Sequence, residues 1–348
     1  MSLPHRGYPD PMEKIHRWDC EVTIKMRLKQ STNSEIAAPR SAGLAMTIWL
    51  VFLLTSSTLK GYPAMKSVDE NQILGHLQRI SGERTPHSSD RHLDEVMNYI
   101  QHFFKKLGYQ VKLHPFPYSG ETFHNIIARK NSGKSSEKII IGAHFDSVLG
   151  SPGADDNASG AAVMLELARI LAEHTWNHEV EFVGFHMEEW NMIGSGAYAQ
   201  KLKNENQKVR GMISLEMVGY TSNEPKSQKM PLGFSLFYPE VGNFIALIGN
   251  LRSIKLLNLF KSEMKSVRNL PVESLAIPFN GNVLPAVRLS DHAPFWDLGY
   301  PALLITDTSF YRNPNYHTAS DAIETLDLKF MARVAEATAK ALIALDEK

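Results

Sequence analysis

KIIIGAHFDS, Lys138 to Ser147, followed shortly by GADDNASG, Gly153 to Gly160, is the stretch on which the reading of this chain turns. The run KIIIGA is continuously apolar, as in a central strand covered on both faces, and it ends at His144. His144 and Asp146 stand two residues apart, and in extended chain such residues share a face. GADDNASG then leads into a helical segment, Ala158 to Glu173, apolar around most of its circumference. Its polar positions Ser159, Glu166, Arg169 and Glu173 form one narrow stripe that predicts a solvated edge. A strand, a short loop and a buried helix make one α/β unit, with polar chemistry at the mouth of the strand.

The same alternation continues outward. Helical patterns cover Glu70 to Ile80 and Ser89 to Leu107, the second opening on Ser89 and Asp90 as N-cap residues and closing at Gly108. Strands are predicted at Tyr109 to His114, Thr122 to Ala128, Glu181 to Phe185, Gly211 to Leu215 and Ala302 to Thr306, with helices at Ile193 to Leu202 and Leu328 to Leu345. The expected fold is α/β, a single domain over residues 67–348 with three layers: a mixed, mostly parallel central sheet between helices.

Residues 1–66 read differently. No charge falls between Arg40 and Lys60, and residues 42–59 contain the apolar core of a signal peptide or signal anchor. The 40 residues ahead of that charge-free run exceed an ordinary n-region, so either translation starts later, at Met26 or Met46, or the segment is an uncleaved anchor; a buried core helix is the third option. The membrane-related readings place the α/β domain outside the cytoplasm, secreted, periplasmic or anchored, with membrane contact only through this segment. Elsewhere, 37 basic residues balance 37 acidic ones, so no global field draws the chain to nucleic acid. The one cysteine, Cys20, excludes an intrachain disulfide and thiolate metal clusters, which leaves histidines and carboxylates as metal ligands.

Charged residues gather where the predicted strands end, the usual location of sites in open α/β sheets. His144 with Asp146 matches a metal-bound imidazole whose second N–H is held by a carboxylate, although alone it is also an ordinary strand end. Asp155 and Asp156 precede a helix, where they could equally be caps. Glu188 and Glu189 follow EFVGF; if the chain bends there, one carboxylate can bind a metal while the other handles a proton. Glu216 ends the apolar run MISLE and needs a partner once buried. SDHAPFW, Ser290 to Trp296, and YHTASD, Tyr316 to Asp321, bring late histidines to either side of ALLIT.

In order and local sequence, HFDS, GADDNASG, MEEW, LEMVGY and the pair SDHAPFW with YHTASD resemble the zinc-dependent aminopeptidase family that contains bacterial leucyl aminopeptidases and, more distantly, glutamate carboxypeptidase. The resemblance runs from about Ile73 to the carboxyl terminus. It implies a zinc-peptidase fold and two Zn2+ per chain, one held by His144 and Glu216, the other by Glu189 and His317, with Asp156 bridging them. It also implies a cis peptide after Asp156, Glu188 as general base and Asp146 as the acid supporting His144. The family more often has Asp where Glu216 stands, and the extra methylene bears on occupancy of the second zinc. Three ionised carboxylates and one hydroxide would balance two zinc ions. The substrate implied is a peptide or protein with a free amino terminus.

Two other readings share this scaffold: a mono-zinc glutaminyl cyclase, against which the doubled acid of GADDNASG argues, and a non-catalytic ectodomain, which would be expected to have lost ligands. Asp291 and His292 are expected to support the site, and His186 to be a core residue. One of Arg288, Tyr311, Arg312 and Tyr316 is expected to donate to the oxyanion, and residues 222–239 and 265–285 to line the specificity pocket as loops.

Overall fold

Short apolar runs rich in Val, Ile and Phe supply the strands, and one eight-stranded sheet collects them. The computed structural model describes residues 65–348 apart from 87–90, 131–134 and 232. The strands are β1 (Gln110–Tyr118), β2 (Glu121–Lys130), β3 (Lys138–His144), β4 (Glu179–Phe185), β5 (Val209–Glu216), β6 (Ile245–Asn250), β7 (Val272–Ile277) and β8 (Ala302–Thr306). Their order across the sheet is β1-β2-β4-β3-β5-β8-β6-β7. β4, β3, β5 and β8 run parallel; β1, β2 and the β6/β7 pair join antiparallel on either side. The sheet is mixed with a parallel centre, as the sequence predicts.

Every residue of β3 is buried, the signature of a strand covered on both faces. One face carries the larger core, built with α1 (Glu70–Ile80), α2 (His92–Lys106), α3 (Gly160–Ile170), α5 (Ile254–Met264) and α7 (Leu328–Asp346). The other carries a smaller one, with α4 (Ile193–Asn204) and α6 (His292–Asp297). From β3 the chain passes to β4 on one side and, after α4, to β5 on the other. The carboxyl ends of β3, β4, β5 and β8 therefore meet around the crevice where an open sheet binds ligands.

Several expectations need correction. The helix predicted from Ala158 begins as a regular helix at Gly160, because Asp156 and Asn157 leave helical geometry inside the turn Ala154–Ser159. Its stripe is solvated only at the far end: Glu173 is exposed and Arg169 partly so, but Ser159 and Glu166 are fully buried, and Glu166 pairs with Arg169 at 2.7 Å while accepting the Asp69 N–H at 2.8 Å. Residues 265–285 are not a loop, since β7 lies within them, and β6, α5 and α6 are additional elements. The helix predicted from Ser89 is regular from His92, and residues 87–90, with the proposed cap pair, lie outside the described residues, as do residues 42–59. Among the described residues no helix is long and apolar enough to cross a membrane.

Candidate active site

β3 delivers His144 at its last position, fully buried, with its Nδ1 3.2 Å from the Asp146 carbonyl oxygen and 3.6 Å from Asp146 Oδ1. The ring is thereby turned so that Nε2 faces the crevice. There it meets Asp156 Oδ1 and Glu216 Oε1, both at 3.3 Å, and Glu188 Oε2 at 3.9 Å. His317 approaches from the opposite side, its Nε2 3.1 Å from Asp156 Oδ2 and 3.2 Å from Glu189 Oε2. Asp156 thus turns one carboxylate oxygen to each histidine.

The loop bearing Asp156 is over-determined. Gly153 has φ +58°, and a side chain there would press on the Asp156 carbonyl and the Arg84 guanidinium. At Gly160 a Cβ would collide with Asn157 and the Leu215 carbonyl. Asn157 ties the turn to the end of β5: its amide donates to Leu215 O at 2.8 Å and its oxygen accepts the Met217 N–H at 3.1 Å. Asp321 accepts the Asp155 and Asp156 N–H groups at 2.9 and 3.1 Å. The Asp156–Asn157 peptide is cis, as the resemblance implies.

Beyond β4 the chain bends at Met187 (φ +61°), a left-handed conformation uncommon for a residue with a side chain. Asp146 then accepts the N–H groups of Glu188 and Glu189 at 3.2 and 3.3 Å, and the two glutamates diverge towards different histidines. Met217, after Glu216, and His317 itself also adopt positive φ, at +48° and +57°. Strain of this kind concentrates where surrounding structure fixes a functional geometry.

Electrostatically the cleft is short of positive charge. Against the burial that opposes it, Glu216 and Glu188 raise the His144 pKa well above its ordinary value, and hydrogen bonds to Asp156 and Glu189 push His317 up to about 11. Asp156 is held low in spite of its burial by those two imidazoles. Burial, then the Asp156 charge, lifts Glu189 to about 7; burial and neighbouring carboxylates lift Glu188 and Asp291, the latter to about 8. Glu189 Oε1 is buried without a hydrogen-bond partner among the described residues. His144, Asp156 and Glu216 form one group of three donor atoms within 4.8 Å of each other, and Asp156, Glu189 and His317 form another. Nitrogen and carboxylate oxygen in this number suit a divalent transition metal, and cations would supply the missing charge.

The structure thus brings together all seven residues predicted from sequence. It adds Ser290, whose hydroxyl donates to Glu216 Oε2 at 2.8 Å, and Arg84, fully buried, whose guanidinium donates to the carbonyls of Phe145, Gly82, Pro152 and Gly153. No sequence pattern marks Arg84; Ser290 opens the quoted SDHAPFW motif. Asp291 is fully buried, with the charges of His144 and Glu216 acting on its carboxyl, and His292 bonds Val287 O at 2.8 Å and meets the Trp296 ring edge-on. His186 is buried and stacks on Phe145. Of the four proposed oxyanion donors, two face elsewhere: Arg288 pairs with Asp297, and Arg312 lies over Phe244 and bonds its carbonyl. Tyr311 and Tyr316 line a pocket that opens from Asp156, Glu188, Glu189 and Glu216, and Tyr316 stacks on His317. Residues 228–238 and 273–284 contribute to its walls, together with Ala246, Ile248 and Leu304 of the sheet.

Comparison with known proteins identifies the family. The profile of peptidase family M28 matches residues 125–342. An Escherichia coli (strain K12) protein, the uncharacterised YfbL, is 36% identical over 267 residues, covering 72% of this chain and 80% of its own length. Leucine aminopeptidase 1 of Ajellomyces dermatitidis is 30% identical over 224 residues, 59% of this chain; the match spans only 52% of the fungal protein. Among solved structures, Legionella pneumophila LapA aminopeptidase shares the fold with a TM-score of 0.63 at 20% identity, over 81% of this chain and 73% of its own. The chain belongs to peptidase family M28.

Proposed function

We propose that this chain is a zinc-dependent aminopeptidase holding two zinc ions, one through His144, Asp156 and Glu216, the other through Asp156, Glu189 and His317. The observation that carries this reading is Asp156, with one oxygen 3.3 Å from His144 Nε2 and the other 3.1 Å from His317 Nε2, so that two donor groups share one residue. Bound zinc would polarise a peptide carbonyl and make water acidic enough, with a pKa near ~7, to be a nucleophile at neutral pH.

The chain's own residues do the rest. Glu188 contacts the cleft without belonging to either donor group, and burial together with Glu216, Asp291 and Glu189, against His144, raises its proton affinity. It accepts a proton from the attacking water and returns it to the leaving amine. Asp146 orients His144 through Nδ1 and fixes the backbone of Glu188, so imidazole and base keep their relative position. The apolar pocket beside the carboxylates receives the amino-terminal side chain. The charge-free run at residues 42–59 supports export, so we place the catalytic unit outside the cytoplasm.

The test is hydrolysis of aminoacyl anilides beside amino-terminally acetylated ones, with metal analysis of the purified chain and a glutamine-initiated peptide as control. Hydrolysis restricted to free amino termini, with zinc near two per chain, is expected. Cyclisation of the glutamine peptide without anilide hydrolysis would contradict the reading.

A further inference from the structure

The floor of the pocket is a single row of the sheet. Glu216 pairs with Thr306, Thr306 with Ala246 and Ala246 with Glu273, so these four side chains stand on one face across β5, β8, β6 and β7. The next row along β8, β6 and β7 is Leu304, Ile248 and Leu275. All seven residues but Glu273 and Glu216 are uncharged. At strand spacing, the three steps from Glu216 to Glu273 cover roughly 14 Å between α-carbons.

Glu273 is half-buried on the edge strand β7, among the pocket-lining residues, and its carboxylate makes no hydrogen bond or ion pair with any described residue. The other lining carboxylates, Asp156, Glu188, Glu189 and Glu216, lie at the opposite end of the row, around the two histidines. Lys229, the cation among the lining residues, is exposed and forms no ion pair with Glu273. The pocket therefore joins an apolar floor to a negative charge on its far strand.

We infer that Glu273 makes this pocket select an amino-terminal residue with a long aliphatic stem and a cationic end, lysine or arginine, over leucine or phenylalanine; the inference rests on the aminopeptidase reading above. With its α-carbon over Thr306, one strand from Glu216, such a residue lays its stem over Ala246 and Ile248 and brings its charge to Glu273. A charge-assisted hydrogen bond then replaces the water that the carboxylate loses. Leucine or phenylalanine fills the same floor but strips water from Glu273 without replacing it, and a site built around a polar partner discriminates against the analogue lacking it.

The test is kcat/KM of the full-length, zinc-loaded chain on lysyl, arginyl, leucyl and phenylalanyl p-nitroanilides, for wild type, Glu273→Gln and Glu273→Leu. The lysyl-to-leucyl ratio is expected to exceed about 10 in wild type, to fall at least about tenfold in Glu273→Gln and to drop below one in Glu273→Leu, the change lying in KM. A wild-type preference for leucine, an unchanged ratio, or an equal loss on all four substrates, as for a carboxylate that binds the α-ammonium group, overturns the inference. Calorimetric binding of lysinamide and leucinamide to Glu188→Gln, with and without Glu273→Gln, needs no turnover. Tighter lysinamide binding that depends on Glu273, in a protein that hydrolyses none of the anilides, would defeat the aminopeptidase reading and leave the pocket inference standing; equal affinities in an active enzyme would do the reverse.

Discussion

Asp146 Oδ1 accepts the backbone N–H of Glu188 at 3.2 Å, across 42 residues of sequence. The same carboxylate faces His144 Nδ1, so one buried acid sets both a proposed zinc ligand and the proposed base. Asp146→Ala should therefore weaken zinc binding by roughly 10- to 100-fold, the usual cost of losing a partner behind a metal-bound histidine. Turnover at saturating zinc should fall as well, because the Glu188 backbone loses its tether. Chelator competition and steady-state kinetics measure the two effects separately; unchanged zinc affinity would show that Asp146 does not act through His144.

Glu216 gives the zinc stoichiometry its own check. Its Oε1 is 3.3 Å from His144 Nε2, and its Oε2 accepts the Ser290 hydroxyl. Glu216→Gln should bring zinc content from two per chain towards one. Glu216→Asp, which restores the residue more usual in the resembling family, should keep both ions. Metal analysis after dialysis decides, and two tightly held ions in Glu216→Gln would remove this residue from the ligand set.

Away from the site, Glu181 is fully buried between Arg129 and Lys138, each at 2.7–2.8 Å, and also accepts the Tyr198 hydroxyl. Removing one member leaves the buried Lys138 less compensated. Because Glu179 also pairs with Lys138 at 2.7 Å and with Arg129 at 2.6 Å, Glu181→Leu should cost about 1–3 kcal/mol in denaturant unfolding while leaving the active site intact, less than for a buried cation left alone. A loss below about 1 kcal/mol would mean that Glu179 alone compensates Lys138.

Asp346 closes α7 against the segment before β4. Although burial raises its pKa, hydrogen bonds from His174, Asn177 and His178 outweigh it and lower the value to about 2. A depressed folded-state pKa contributes stability that is complete above the unfolded value near 3.8 and is lost as pH falls through 2. Asp346→Asn should cost about 1–2 kcal/mol at neutral pH and only a small part of that at pH 2, where the wild-type carboxyl is about half protonated. Parallel stability curves for the two proteins between pH 5 and 2 would contradict this assignment.

The residues that meet in the candidate site were legible in sequence because HFDS, MEEW and LEM each follow an apolar run and so fall at strand ends, while their division into ligands and base was implied only by the family resemblance. Periodicity found the central strands for the same reason: β3 and β8 are buried on both faces and read as uninterrupted apolar runs. It missed β6 and β7, whose short runs end at Asn250 and Ile277 without a charged motif of the kind that marks the site, and α5 as well. Glu166 was misread because a polar residue at helical spacing looks solvated whether it meets water or an arginine of its own helix. Arg84 was out of reach altogether, since its acceptors are backbone carbonyls up to 69 residues away, and no residue type announces a carbonyl.

The most direct test of the account is Glu188→Gln, assayed for zinc content and for hydrolysis of the best anilide substrate. The account predicts zinc near two per chain and turnover lowered by about 10²- to 10⁴-fold, the range ascribed to a positioned general base. Turnover close to wild type in that variant would contradict it.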